Sequence, residues 1–148
     1  LIGLLSLAAS PFTGAWMRSS DVSKTLAALE QAVGSAKSTA LRNEAGVLGD
    51  VTASALCLTD NNLQLVTAVA GATAVNCTSV SAAAVLWSTR IPESVDIKLG
   101  GLGGTDWTCS CFTNKGLLSS TAANCGSCGT NLTFTVTSGA ESETLSLY

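Results

Sequence analysis

The chain has 148 residues, which suffices for one domain with a real core and is too short for two comfortable ones. Hydrophobic residues make up 47% of it but aromatics only 5%, so the apolar content is Ala, Leu and Val, suited to close packing between elements rather than to a deep aromatic pocket. Charged residues are 11%, against roughly 25% in ordinary soluble domains, and a net charge of −3 with seven Lys plus Arg leaves no basic patch for nucleic acid.

Residues 1–9, Leu-Ile-Gly-Leu-Leu-Ser-Leu-Ala-Ala, carry no charge. They are too few to cross a bilayer, which takes about 20 apolar residues. Ala8-Ala9-Ser10 has the form of a signal-peptide cleavage site, but the segment reads better as the downstream end of a longer transmembrane helix. Pro11 lacks a backbone donor and crowds the carbonyl of Leu7, so a kink or local opening is expected there. Gly3 is a second weak point eight residues earlier.

The chain is organised around the helix expected over 26–43 and its run-in. Val22, Leu26, Leu29, Val33, Ala36 and Ala40 recur at alternating steps of four and three, one apolar stripe that shrinks from Leu and Val to Ala. Ser20 or Asp21 can cap its start, and Gly46 is placed to end it. A greasy first half and an amphipathic second half predict one long helix in two environments.

After Gly46 the apolar period changes from helix to strand. Residues 51–58 and 63–69 flank the turn Thr59-Asp60-Asn61-Asn62. Strands are expected over 75–77 and 80–90, with Trp87 as the large anchor, until Pro92 breaks the run. Residues 94–99 alternate Val95, Ile97 and Leu99 on one face, and Gly100-Gly-Leu-Gly-Gly104 follows as a loop. That loop lacks the helix and acidic partner of a dinucleotide site. A strand over 107–112, a turn at Asn114-Lys115-Gly116, alternation of Leu132, Phe134 and Val136, and a last strand bearing Leu145 and Leu147 complete the chain. The order predicts an α+β fold: one long N-terminal helix packed on six or seven short antiparallel strands. The expected segments are 1–19, a protruding apolar helix; 20–46, an amphipathic helix on the sheet; and 47–148, a β head domain.

The six cysteines are even in number and sit in loop-rich surroundings, which reads as three disulfides formed in an oxidising compartment. Cys57 ends one expected strand and Cys77 follows a complete strand-turn-strand excursion, which pairs them. Cys109 and Cys111 share a strand face, which directs them across to Cys125 and Cys128, in either pairing, rather than to each other. The same four cysteines have the spacing of a four-thiolate zinc site, an alternative that oxidising conditions disfavour. Cys125 and Cys128 are spaced like a redox pair, but no helix pattern or charged activator supports one.

Leu1-Ile-Gly-Leu-Leu-Ser-Leu-Ala-Ala-Ser-Pro-Phe12, with Gly3 eight residues before Pro11, resembles the latter half of the N-terminal helix of type IV pilins and pseudopilins. Leu29-Glu-Gln-Ala-Val-Gly-Ser-Ala-Lys-Ser-Thr-Ala-Leu-Arg-Asn43 is similar to the second helical half of GspH/FimT-type minor pilins. The family's N-methylated aromatic and assembly glutamate precede this stretch and are not in the sequence, and beyond Gly46 only the order of elements matches. The resemblance implies a filament subunit whose assembly surface includes Leu1, Ile2, Gly3, Leu4, Leu5, Leu7, Pro11 and Phe12. It implies an inner-membrane stage with a periplasmic head, and then an extracellular or periplasmic polymer with copies of itself or related pilins. Asn76-Cys-Thr and Asn131-Leu-Thr match an N-glycosylation pattern, but in the bacterial chain that the resemblance implies they are turn residues.

Catalysis finds little support. The chain has no histidine, which removes Ser-His-Asp and Cys-His arrangements and the commonest general base and metal ligand. Its ten carboxylates are scattered, with Asp60, Glu141 and Glu143 in expected turns or edges, and Lys37 and Arg42 lie off the apolar stripe. The expectation is a structural protein with no cofactor, metal, nucleic acid or small-molecule substrate. Two alternatives stand beside it: a minor pilin or pseudopilin with a binding or priming role in secretion or DNA uptake, and an unrelated secreted, disulfide-stapled β-domain. The acidic end Glu141-Ser-Glu-Thr-Leu-Ser-Leu-Tyr148 counts against DNA uptake.

Overall fold

A computed structural model describes residues 2–70, 75, 77–119 and 128–148, with residues 2–12 as backbone only. One helix, α1 (Ile2–Arg42), precedes the strands β1 (Thr52–Thr59), β2 (Asn62–Thr67), β3 (Val85–Arg90), β4 (Asp96–Leu99), β5 (Thr105–Asp106), β6 (Cys109–Thr113), β7 (Thr133–Ser138) and β8 (Glu141–Ser146). The class is α+β, as expected, but the strands do not form one sheet. They form two antiparallel four-stranded sheets, in the orders β3-β2-β1-β6 and β5-β4-β7-β8.

The helix runs without interruption through Pro11, so the opening expected there is absent. Pro11 removes only the bond to the carbonyl of Leu7, and the ladder on either side carries the helix across the gap. Ser20 and Asp21, expected as caps, lie inside the helix. The helix also ends before Gly46. Asn43 takes the left-handed conformation (φ 46°) directly after Arg42 and is the terminating residue. Its side chain then holds the exit: Asn43 Nδ2 donates to the Val47 carbonyl and the Val47 N–H donates to Asn43 Oδ1, both at 2.8 Å. Gly46 closes the following turn, its N–H donating to the Asn43 carbonyl at 2.9 Å. Asn43→Ala is therefore expected to destabilise the fold by about 2 kcal/mol, from backbone strain plus two lost bonds. Asn43→Gly should cost less, because glycine keeps the conformation; urea denaturation of the two variants checks the order.

The stripe on α1 meets both sheets. Val22, Leu29, Val33, Ala36 and Ala40 are buried and Leu26 is partly buried against the same core. Across from them stand Ala53, Leu56, Leu63 and Leu65 of the first sheet and Ile97, Phe134 and Val136 of the second. The stripe narrows to alanine where the backbones approach: buried Ser54 of β1 donates its hydroxyl to the Ala36 carbonyl at 2.7 Å. Trp87 is not the large anchor. Trp107 is, only 2% exposed, its ring edge-on to Phe134 at 5.2 Å and its Nε1 donating to Ser110 Oγ at 2.9 Å. Trp87 sits partly buried on the outermost strand of its sheet.

Several strands differ from expectation in extent. The run 80–90 divides into a 3-10 turn at Ala82–Ala84 and β3, and 107–112 yields to β5 and β6 on either side of Trp107. Val75 and Cys77 are not in a strand, and Asn76 lies outside the described residues. The Asp60-Asn61 turn forms as expected, both residues at positive φ (50° and 59°), the two-residue connection whose twist suits a hairpin.

Candidate functional site

Helix α1 has two parts with different surroundings. From Val22 to Ala40 the sheets cover one face of it. Ala32 joins the stripe as a buried residue, and so do Thr25 and Thr39, which hydrophobic counting misses. Their signal is the spacing of seven that they share with Val22, Leu29 and Ala36. The Thr25 hydroxyl is satisfied locally, donating to the Asp21 carbonyl at 2.8 Å.

Between Thr13 and Ser19 the helix is largely uncovered. Residues 13 and 15–19 are all exposed, Trp16 at 67% and Met17 at 56%. An exposed Trp beside an exposed Met on a helix is apolar surface open for the most part to whatever lies outside the described chain. The expected assembly residues Ile2, Gly3, Leu4, Leu5, Leu7, Pro11 and Phe12 continue this helix, though only their backbone is described, and Leu1 lies outside the described residues. No described helix is long and apolar enough to cross a membrane. At the boundary, Arg18 lies over the β7–β8 turn: a Cβ at Gly139 (φ 60°) would stand 3.0 Å from Arg18 Cδ.

The cysteines lie on the other face of the first sheet. Cys57 is bonded to Cys77 and Cys109 to Cys128, and Cys111 is also disulfide-bonded. Cys125 lies outside the described residues. Cys57 and Cys109 are direct cross-strand neighbours, as are Ala55 and Cys111. Ala55, Cys57 and Cys111 make a second, smaller core with Val66, Ala68, Val75 and Ala84. Strand β1 is thus buried on both faces, by the helix on one side and by the stapled loops on the other. The Cys109–Cys128 bridge uses two of the four thiolates that a zinc site would need.

The remaining charged residues of interest are at the surface. Lys37 Nζ donates to the main-chain oxygen of Tyr148, and Glu141 and Glu143 lie on β8, the outer strand of the second sheet. Arg42 lines an open groove of about 440 Å³ between α1 and β3, together with Gln31, Gly34, Ser35, Ser38 and Trp87. This groove joins residues of the helix to a tryptophan far along the chain. Asn131 acts as a turn residue, its Oδ1 accepting from the Thr133 N–H at 3.0 Å.

Comparison with protein-family models, with curated proteins and with solved structures finds no match.

Proposed function

We propose that this chain is a structural, non-catalytic subunit of an extracellular or periplasmic filament of the type IV pilin and pseudopilin kind, polymerising through its N-terminal helix. One observation carries the reading: a single helix, Ile2–Arg42, has its described buried residues from Val22 onward and bears exposed Trp16 and Met17 before them. Its earlier residues are the uncharged run 1–9. An apolar helix that extends past its own domain gains about 25 cal/mol for each Å² of apolar surface it buries against a neighbour. Equivalent helices of neighbouring subunits offer such burial, and an inner membrane offers it before assembly. The two-sheet head, closed by disulfides, then faces an oxidising exterior.

A minor-subunit role with a binding or priming task is the second reading, favoured by the groove beside Trp87. The acidic strand β8 supports a surface other than a DNA-binding one.

Removal of residues 1–16 is the direct test. The shortened chain should stay folded and monomeric, keep its disulfides and fail to enter filaments, as seen by sedimentation and electron microscopy. Normal assembly of that truncation would refute the role of the helix. The head should survive the cut because, among the described residues, every core residue of α1 lies at Val22 or beyond.

A further inference from the structure

The groove between α1 and β3 carries an inference that goes beyond filament formation and does not rest on it. Gly34 stands in the interior of a long helix, where glycine is destabilising relative to alanine. Its backbone does not require glycine: φ is not positive, and a Cβ placed there would meet nothing within 4 Å. Gly34 instead leaves one wall of the groove without a side chain. Facing it is Trp87, partly buried against the main core and carried on an edge strand, so the groove opens past β3 to solvent.

Leu65 and Leu86 flank Trp87 on the sheet side, and the rest of the lining is hydroxyl, amide and guanidinium. Gln31, Ser35, Ser38 and Arg42 border the groove, and among the described residues none of these side chains has a hydrogen-bond or ion-pair partner. Among the described residues that line it, Arg42 alone is charged, and no carboxylate there opposes it. A flat aromatic ring beside several uncommitted polar groups suits a ligand with one apolar C–H face and a rim of hydroxyls. A pyranose has that form. The lone arginine adds a preference for a carboxylate, which guanidinium binds with two parallel hydrogen bonds. The volume, about 440 Å³, falls in the usual small-ligand range of roughly 300–1,000 Å³.

We propose that this groove binds an acidic saccharide, with Trp87 under the sugar ring, Arg42 on the carboxylate, and Gln31, Ser35 and Ser38 on the hydroxyls. Gly34 provides the room for the ring to approach the helix.

The test is a titration of the isotope-labelled full chain, followed by NMR, with D-glucuronic acid, D-glucose and acetate as separate probes. Glucuronate should shift the Trp87 indole and Gly34 amide signals saturably, and glucose should shift the same signals with about tenfold weaker affinity, as loss of a charged hydrogen bond predicts. Arg42→Ala should bring glucuronate down to the glucose level. Gly34→Leu should abolish binding of both sugars while raising the unfolding temperature, because leucine favours helix and its Cβ meets no neighbour. The proposal fails if glucuronate leaves Trp87 unmoved, if acetate reproduces its shifts, or if Gly34→Leu binds normally. It fails equally if the Trp87 signal shifts with protein concentration alone, which would seat a second copy of the chain in the groove.

Discussion

Phe134→Ala is expected to destabilise the protein by about 4 kcal/mol, a large share of the roughly 5–15 kcal/mol that holds a domain folded. Phe134 is fully buried at the centre of the second sheet, paired with Leu99 of β4 and Leu145 of β8. Its ring also receives the edge of Trp107 at 5.2 Å, a contact worth a further fraction of a kcal/mol to about 1.5 kcal/mol. The cavity left by alanine cannot collapse easily, because helix and both sheets converge there. Urea unfolding followed by tryptophan fluorescence reads the loss. Trp107 should become mobile in the variant, whereas Trp16, already exposed, should not change. A cost below 1 kcal/mol would show that the second sheet does not depend on this contact.

Removing the Cys57–Cys77 bridge by double alanine substitution is expected to cost about 3 kcal/mol, from the freedom returned to the unfolded chain by opening a loop with a sequence separation of 20. The melting temperature should fall by roughly 10 °C for a chain of this size. The loss should be local before it is global. Val66, Ala68, Val75 and Ala84 pack in the small core that this bridge closes, whereas Leu29, Leu56 and Phe134 belong to the other one. Hydrogen exchange should therefore show β2 and β3 losing protection on their outer face before α1 does. Equal loss throughout would mean that the two cores unfold as one unit.

The helix was legible in the sequence because its stripe is local: a period of 3.6 residues is visible in any window that holds Val22 to Ala40. Its exact ends were not. Asn43 rather than Gly46 terminates it, because an asparagine whose side chain bonds Val47 on both sides takes the left-handed conformation as readily as a glycine does. The hairpin at Asp60-Asn61 was legible for the same local reason. The division into two sheets was not, since alternation reports which face is buried but not which strand is the neighbour. Strand β1 pairs with β6, some fifty residues later, as well as with β2. The exchange of roles between Trp87 and Trp107 is of the same kind: each lies in a strand-like run, but Trp107 falls on the crossing from β5 to β6, where its ring turns into the core against Phe134, while Trp87 stays partly buried on edge strand β3. The groove was hidden by the same separation. Gln31, Ser35 and Ser38 lie off the apolar stripe of the helix, and only the packing of β3 brings Trp87 beside them.

The packing of α1 against both sheets also fixes how the molecule responds to force. A pull along the helix axis loads β1, β2, β6, β7 and β8 together, since all of them touch the shaft. Contacts arranged side by side share such a load in shear, and the shaft slips only when many fail at once. A sideways pull on its free end is different. It peels Val22 away first, then the next turn, at far lower tension. The head is thus strong along one direction and weak across it, and single-molecule extension by the two geometries should give widely separated rupture forces.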